Sequence, residues 1–191
     1  RHFIQQFRRI EQAGIPTLVI AGNHDSPARF DAVASMLKLT KVHTVGSFRP
    51  AGQGGLLQLD LEAGRLRVAA LPFLSERRMI DADALLHKDL GAQRDTYREV
   101  MRKLVQNLTH GFDHGSVNLL AMHTTFEGAT LANSEYAFHC TSSYTVPPST
   151  VPDSANYVAV GHIHKPQPIE GLPENKARYS GSPLQLDFGE V

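Results

Sequence analysis

Apolar and polar positions follow two rhythms along this chain, and the switches between them mark its elements. Phe3, Ile4, Phe7 and Ile10 recur at helical spacing until Gly14 and Pro16 stop the run, which predicts an opening helix. The apolar, β-rich stretch 17–21 is expected to be a buried, central strand. It ends in Gly22-Asn23-His24-Asp25. Ser26 and Pro27 then have the form of an N-cap and first helical residue, and Phe30, Val33, Ala34 and Leu37 supply an apolar face.

Short strands are expected at 43–46, 56–61 and 66–73, with a hairpin turn at 62–65. Leu57, Leu59 and Leu61 alternate with polar residues, as in a half-exposed strand. Val68, Ala69, Ala70 and Leu71 do not alternate, so both faces of that strand should be covered. Residues 74–91 read as a polar loop with a helical turn. A long helix is predicted over 92–108, with Tyr97, Val100, Met101, Leu104 and Val105 as its apolar stripe. Buried strands are predicted at 116–122 and 156–160. Between them, 124–154 lacks periodicity and should be loop with short strands, and 179–188 should close the chain as turn and strand. This order predicts an α/β layered domain.

Composition narrows the picture modestly. The chain has 191 residues, 41% hydrophobic and 20% charged, which suits one soluble globular domain. Cys140 stands alone, which excludes an internal disulfide and favours the cytoplasm. Nineteen basic residues balance nineteen acidic ones, so any contact with DNA must use a local patch. Apolar runs are too short to span a membrane. The chain opens without methionine and inside a helical pattern, and a natural start upstream is expected.

The chemistry lies at strand ends. Three predicted strands each stop at metal-capable residues: Asn23 and His24, then His123, then His162 and His164. In open α/β folds such ends converge on one crevice. His162 and His164 are two apart, so an extended segment would point both to one side. Gly161 before them permits a close backbone approach. The amide of Asn23 offers a ligand oxygen, and the imidazole of His24 offers an acid–base group. Single histidines are more often structural, which is the reading for His43, His87, His110, His114 and His139. Ligand histidines must be neutral, so cation binding should weaken below about pH 6.5. Arg77 and Arg78, in the polar loop, are candidate DNA-phosphate contacts, although a solvated charged loop is the slightly favoured reading.

Gly22-Asn23-His24-Asp25 together with Gly161-His162-Ile163-His164 resembles the calcineurin-like metallophosphoesterases. Four longer strings narrow the likeness: Gly-Asn-His-Asp-Ser-Pro from Gly22, Ala-Leu-Pro-Phe-Leu from Ala70, Tyr-Val-Ala-Val-Gly-His-Ile-His-Lys-Pro-Gln from Tyr157, and Tyr-Ser-Gly-Ser-Pro-Leu-Gln-Leu-Asp-Phe-Gly-Glu from Tyr179. These resemble the SbcD-type DNA nucleases, the D subunits of SbcCD exonucleases.

The resemblance implies a layered sandwich of mixed β-sheets flanked by helices, lacking its first strand–helix–strand portion. It implies one nuclease domain over 1–191, incomplete at the N-terminus and without the DNA-binding cap. It further implies metal-dependent hydrolysis of phosphodiester bonds at DNA ends, in repair and recombination, with two divalent cations. Manganese is expected, with iron and zinc as alternatives. Asn23, His123 and His162 would ligate one ion and His164 the other, with His24 catalytic and Asp25 supporting. Relatives carry an Asp-x-His strand and a Gly-Asp motif that this sequence does not contain, so the second cation site is expected to be incomplete and the piece weakly active or inactive alone. Implied partners are DNA ends (duplex or hairpin), an SbcC-type ATPase subunit and, in the full-length protein, a second copy. A different calcineurin-like phosphatase or phosphodiesterase, or a non-catalytic DNA-end-binding scaffold, are the competing readings.

Overall fold

The computed structural model describes residues 2–30, 32, 41–75, 78–79, 81–82, 97–132, 134–135, 144–184 and 188. Helix α1 (His2–Gln12) leads into β1 (Thr17–Ile20), which pairs in parallel with β2 (Val42–Val45). Phe7 and Val42 are buried together there, with Ile10 and Val19 packed against them. The expected central strand is therefore corrected. β1 ends at Ile20, each of its residues is only half-buried, and β2 is its one partner among the described residues. A strand paired along a single edge keeps part of its surface open, whatever its own hydrophobicity.

The larger sheet has six strands. They are β3 (Leu56–Leu61), β4 (Gly64–Leu71), β5 (Ser116–His123), β8 (Tyr157–Gly161), β9 (Gln167–Pro168) and β10 (Ala177–Tyr179). Their spatial order is β3-β4-β5-β8-β10-β9. The centre is parallel and both edge pairs are antiparallel. β6 (Thr125–Phe126) and β7 (Thr145–Val146) form a small parallel pair in the region expected to be loop with short strands. Helix α2 (Tyr97–Thr109) covers one face of the six-stranded sheet.

Register explains that core. Ala69, Leu120, Val158 and Ala177 are aligned neighbours on four successive strands, as are Leu71, Met122, Val160 and Tyr179. Both rows are buried against Val100, Met101, Leu104, Val105 and Leu108 of α2. The predicted stripe of α2 is thus confirmed from Tyr97 onward, while 92–96, like Val33, Ala34, Leu37, Arg77, His87 and His139, lie outside the described residues. Arg78 and Met79 are helical, as are residues 81–82.

The C-terminal expectation is corrected too. Among the described residues the last strand ends at Tyr179 rather than beginning there, and 185–187 lie outside them. Gly181 has φ +76 and Pro183 carries no backbone donor, so neither suits a ladder. The two-residue edge strand β9 was too short to show in the sequence pattern.

Tyr179 ties the sheet to the segment after β5. Its side chain is fully buried, and its hydroxyl donates to Thr124 O (3.1 Å) and accepts from Phe126 N (2.7 Å). Replacing it with phenylalanine strands a buried N–H, so Tyr179→Phe should cost about 1–3 kcal/mol in urea unfolding. An unchanged midpoint would mean that water replaces both bonds.

Candidate functional site

Strand periodicity decides where His123 points. Met122 faces the α2 core, so its neighbour His123 projects from the opposite face. Directly beside it in register is Gly161. A Cβ at Gly161 would lie 2.9 Å from His123 Nδ1, and one at Gly22 would lie 2.8 Å from its Cε1. The imidazole therefore stands in a slot whose two walls are bare backbone. One wall comes from the loop after β1 and the other from the end of β8.

That loop is closed locally. Gly22 N donates to Asp25 Oδ2 (2.8 Å), so Asp25 clasps the turn that carries Asn23 and His24. Ser26 O accepts from Arg29 N and Phe30 N, which begins the helical turn 27–30 as its N-cap position predicted. Asn23 Oδ1 meets His123 Nε2 at 3.0 Å, although 100 residues separate them. The two sheets also join through Phe73 N, which donates to Ala21 O (2.9 Å).

His162 lies next to His123, with ring centroids 5.1 Å apart, and is 6% exposed. It has φ 101, the one positive φ at a non-glycine residue among those described. The expected extended backbone through His162 and His164 is thus corrected at His162. The chain leaves the strand at Gly161 and bends at His162. His162 is buried beside His123, whereas the partly exposed His164 has its Nδ1 2.7 Å from Ser134 Oγ. A left-handed conformation at a side-chain-bearing residue costs about 1–3 kcal/mol and is found preferentially at functional sites.

Phe73 backs both rings. Its ring is edge-on to His123 at 6.1 Å and tilted over His162 at 5.6 Å, and it is 5% exposed. The sequence offered it as the end of the strand expected at 66–73 and as one letter in the Ala70 string; that strand stops at Leu71, and nothing in its periodicity marks Phe73 as a wall for two histidines.

Burial holds the His123 imidazole at about 4, well below its ordinary 6.5, and the nearby charges of His24 and His164 push it the same way. All three histidines therefore share one neighbourhood. The depressed value also revises the pH expectation for this residue. His123 stays neutral, with a lone pair to offer, far below pH 6.5. Because the unfolded chain binds the extra proton between about pH 4 and 6.5, stability should rise with pH across that window and gain nothing further from His123 above it. NMR titration of the His123 ring in the metal-free full-length protein is the direct check; an apparent value near 6.5 would contradict its burial.

Two imidazoles and an amide oxygen suit a divalent cation of borderline hardness. Ligands bound to one such ion at about 2.1 Å and at right angles lie about 3 Å apart, close to the 3.0 Å between Asn23 Oδ1 and His123 Nε2. The donors present fit a cation in that respect. Among the described residues no group of three His, Cys, Asp or Glu side chains is placed to hold a metal ion, so what is gathered is a neutral, partial set.

His24 lines a cavity of about 190 Å³ with Val19, Asp25, Ser26, Arg29, Phe30 and Thr44. Arg78 is half-buried and its Nη1 is buried without a hydrogen-bond partner among the described residues, unlike an arginine in a solvated loop. His110 and His114 lie before β5 begins, about 20 Å along the strand from His123, and take no part.

No family model matches the chain. Curated relatives do, and two of them illustrate the likeness. The D subunit of the SbcCD nuclease from Bacillus subtilis is 34% identical over 178 residues, covering 92% of this chain and 44% of that protein. The same component of the Rhodobacter capsulatus nuclease is 33% identical over 189 residues, covering 91% and 44%. Over nearly its whole length the chain is similar to part of these SbcD proteins. It spans less than half the length of these SbcD relatives. Its α/β architecture, with a mixed six-stranded sheet, is the calcineurin-like phosphoesterase fold that the SbcD motifs implied. Among solved structures, a hypothetical protein from Thermus thermophilus aligns over 93% of the chain and 57% of its own at TM-score 0.45 and 15% identity, too distant to add to the assignment. The Gly-Asn-His-Asp and Gly-His-Ile-His strings that pointed to the calcineurin-like metallophosphoesterases are the same two that form the walls and neighbours of His123.

Proposed function

We propose that this chain is the catalytic part of a metal-dependent nuclease subunit that hydrolyses phosphodiester bonds at DNA ends. The carrying observation is the meeting of Asn23, His123 and His162, from three separate strand ends, in a chain of SbcD type. Asn23, His123 and His162 would hold one divalent cation, with manganese the first candidate, and His164 would serve a second. A cation there supplies Lewis-acid polarisation of a phosphate oxygen and a water of lowered pKa. The chain's own contribution is otherwise positional. Gly22 and Gly161 admit the His123 ring, Phe73 excludes water behind it, and Asp25 holds the turn that presents His24. His24 then stabilises charge on the phosphate or protonates the leaving oxygen.

Arg78 is proposed to meet DNA phosphate. Its buried, unpartnered Nη1 favours an anion over open solvent. The site serves DNA repair and recombination in the cytoplasm, in partnership with an SbcC-type ATPase and a second copy of the full-length chain. Among the described residues no helix is long and apolar enough to cross a membrane.

The test is hydrolysis by the full-length protein of linear duplex DNA against nucleotide monoesters, with Mn2+ and with chelator. Chelator-sensitive loss of duplex DNA supports the nuclease. Preference for monoesters would move the site to a phosphatase, and DNA-end binding without hydrolysis would make it a scaffold.

A further inference from the structure

Thr130, Ser134 and Glu135 are fastened to the segment that follows β8, through Gln167 and His164, and the fastening acts on His164 from two directions. Glu135 Oε1 accepts from His164 N (2.9 Å), while both carboxylate oxygens accept from Ala132 N (3.1 and 2.9 Å). Ser134 Oγ sits 2.7 Å from His164 Nδ1. Gln167 completes the attachment, donating from Nε2 to Thr130 O (2.7 Å) and accepting at Oε1 from Thr130 N (2.8 Å). From the other side Ser182 N donates to His164 O (2.9 Å), and a Cβ at Gly181 would press on that carbonyl at 2.8 Å.

Gln167 and Glu135 suffice to hold the two segments together through backbone groups. The Ser134 contact does something different, because it is made to the ring. A neutral imidazole carries a proton on one nitrogen and a lone pair on the other. When Nδ1–H donates to Ser134 Oγ, the lone pair is on Nε2. When the hydroxyl donates to Nδ1 instead, Nε2 carries the proton and cannot ligate. A hydroxyl serves either arrangement, so coordination at Nε2 selects the first without rebuilding the contact.

We propose that Ser134 and Glu135 are positioning residues for His164. Glu135 fixes the backbone from which the ring projects, and Ser134 fixes the ring's direction and holds its Nδ1 proton so that Nε2 faces the cation. This rests on the reading of His164 as a ligand. Neither residue touches the substrate or the cation in this role.

The experiment compares wild type, Ser134→Ala, Ser134→Thr, Glu135→Gln and His164→Ala in the full-length protein. Mn2+ affinity is read by calorimetry, and the His164 tautomer by 15N NMR of the Zn2+-loaded protein. Wild type should show Nδ1–H with Nε2 coordinated. Ser134→Ala should weaken Mn2+ binding about 10-fold or more and broaden or shift the His164 ring signals, and Ser134→Thr should restore both. Glu135→Gln, which keeps one acceptor oxygen, should fall between. Ser134→Ala binding Mn2+ as wild type does, while His164→Ala binds poorly, overturns the positioning role and leaves the ligand reading standing. Equal losses in Ser134→Ala and Ser134→Thr also overturn it, since the hydroxyl would then be irrelevant. His164→Ala binding as wild type does overturns the ligand reading itself, and the positioning role with it.

Discussion

Replacing His162 with alanine in the full-length protein should lower Mn2+-supported cleavage of linear duplex DNA by at least about 100-fold. A ligated cation contributes several kcal/mol of transition-state charge stabilisation, and each ~1.36 kcal/mol is tenfold in rate. His162 is buried beside His123, with the Phe73 ring tilted against it, so solvent has little access to take its place. Its backbone supplies a second, internal comparison. With φ 101, alanine at this position inherits the left-handed strain and glycine does not. His162→Gly should therefore be at least as stable as His162→Ala in thermal unfolding and equally inactive. Activity retained by either variant, measured on linear duplex DNA, would remove His162 from the catalytic centre. A glycine variant less stable than the alanine one would mean that the ring, rather than the site, holds the bend.

Gly161→Ala and Gly22→Ala should each lower Mn2+ affinity about 10- to 100-fold, the range found when the support of a ligand histidine is disturbed. Neither glycine has a positive φ, so the penalty is steric and falls on one side chain. The added methyl would meet the His123 ring at 2.9 Å from Gly161 or 2.8 Å from Gly22. The ring must swing off its line to Asn23 Oδ1, and overpacking of this kind costs about 1–3 kcal/mol of stability. Gly52→Ala is the control, since a Cβ there meets nothing within 4 Å. Calorimetric titration decides the matter. Wild-type affinity in Gly161→Ala would show that His123 does not need its slot.

Much of the core was readable in the chain. The stripe on α2 and the continuous apolar run 68–71 anticipated the side chains that now pack in two cross-strand rows. The ends of β1 to β5 and of β8 were legible to within a residue or two because turn residues punctuate them, whereas those of β9 and β10 were not. The site was legible as a set of residues and not as a geometry. His123 does meet both Asn23 and His162, yet the extended backbone inferred through His162 and His164 gives way to a bend at His162. Phe73, Ser134 and Glu135 went unread for the same reason. Their contribution is a distance to a ring placed by another segment, and no periodicity records that.

By itself the sequence determined the strand-then-ligand form of three elements, and with it the likeness to the SbcD nucleases. Local hydrophobic rhythm and short strings of chemistry are properties of neighbouring residues, so they survive without any fold. Tertiary structure alone decided which nitrogen faces which partner. Only the parallel register of β5 and β8 places a side-chain-free residue beside His123, and only the packing of two sheets brings Asn23 within 3.0 Å of it across 100 residues of chain.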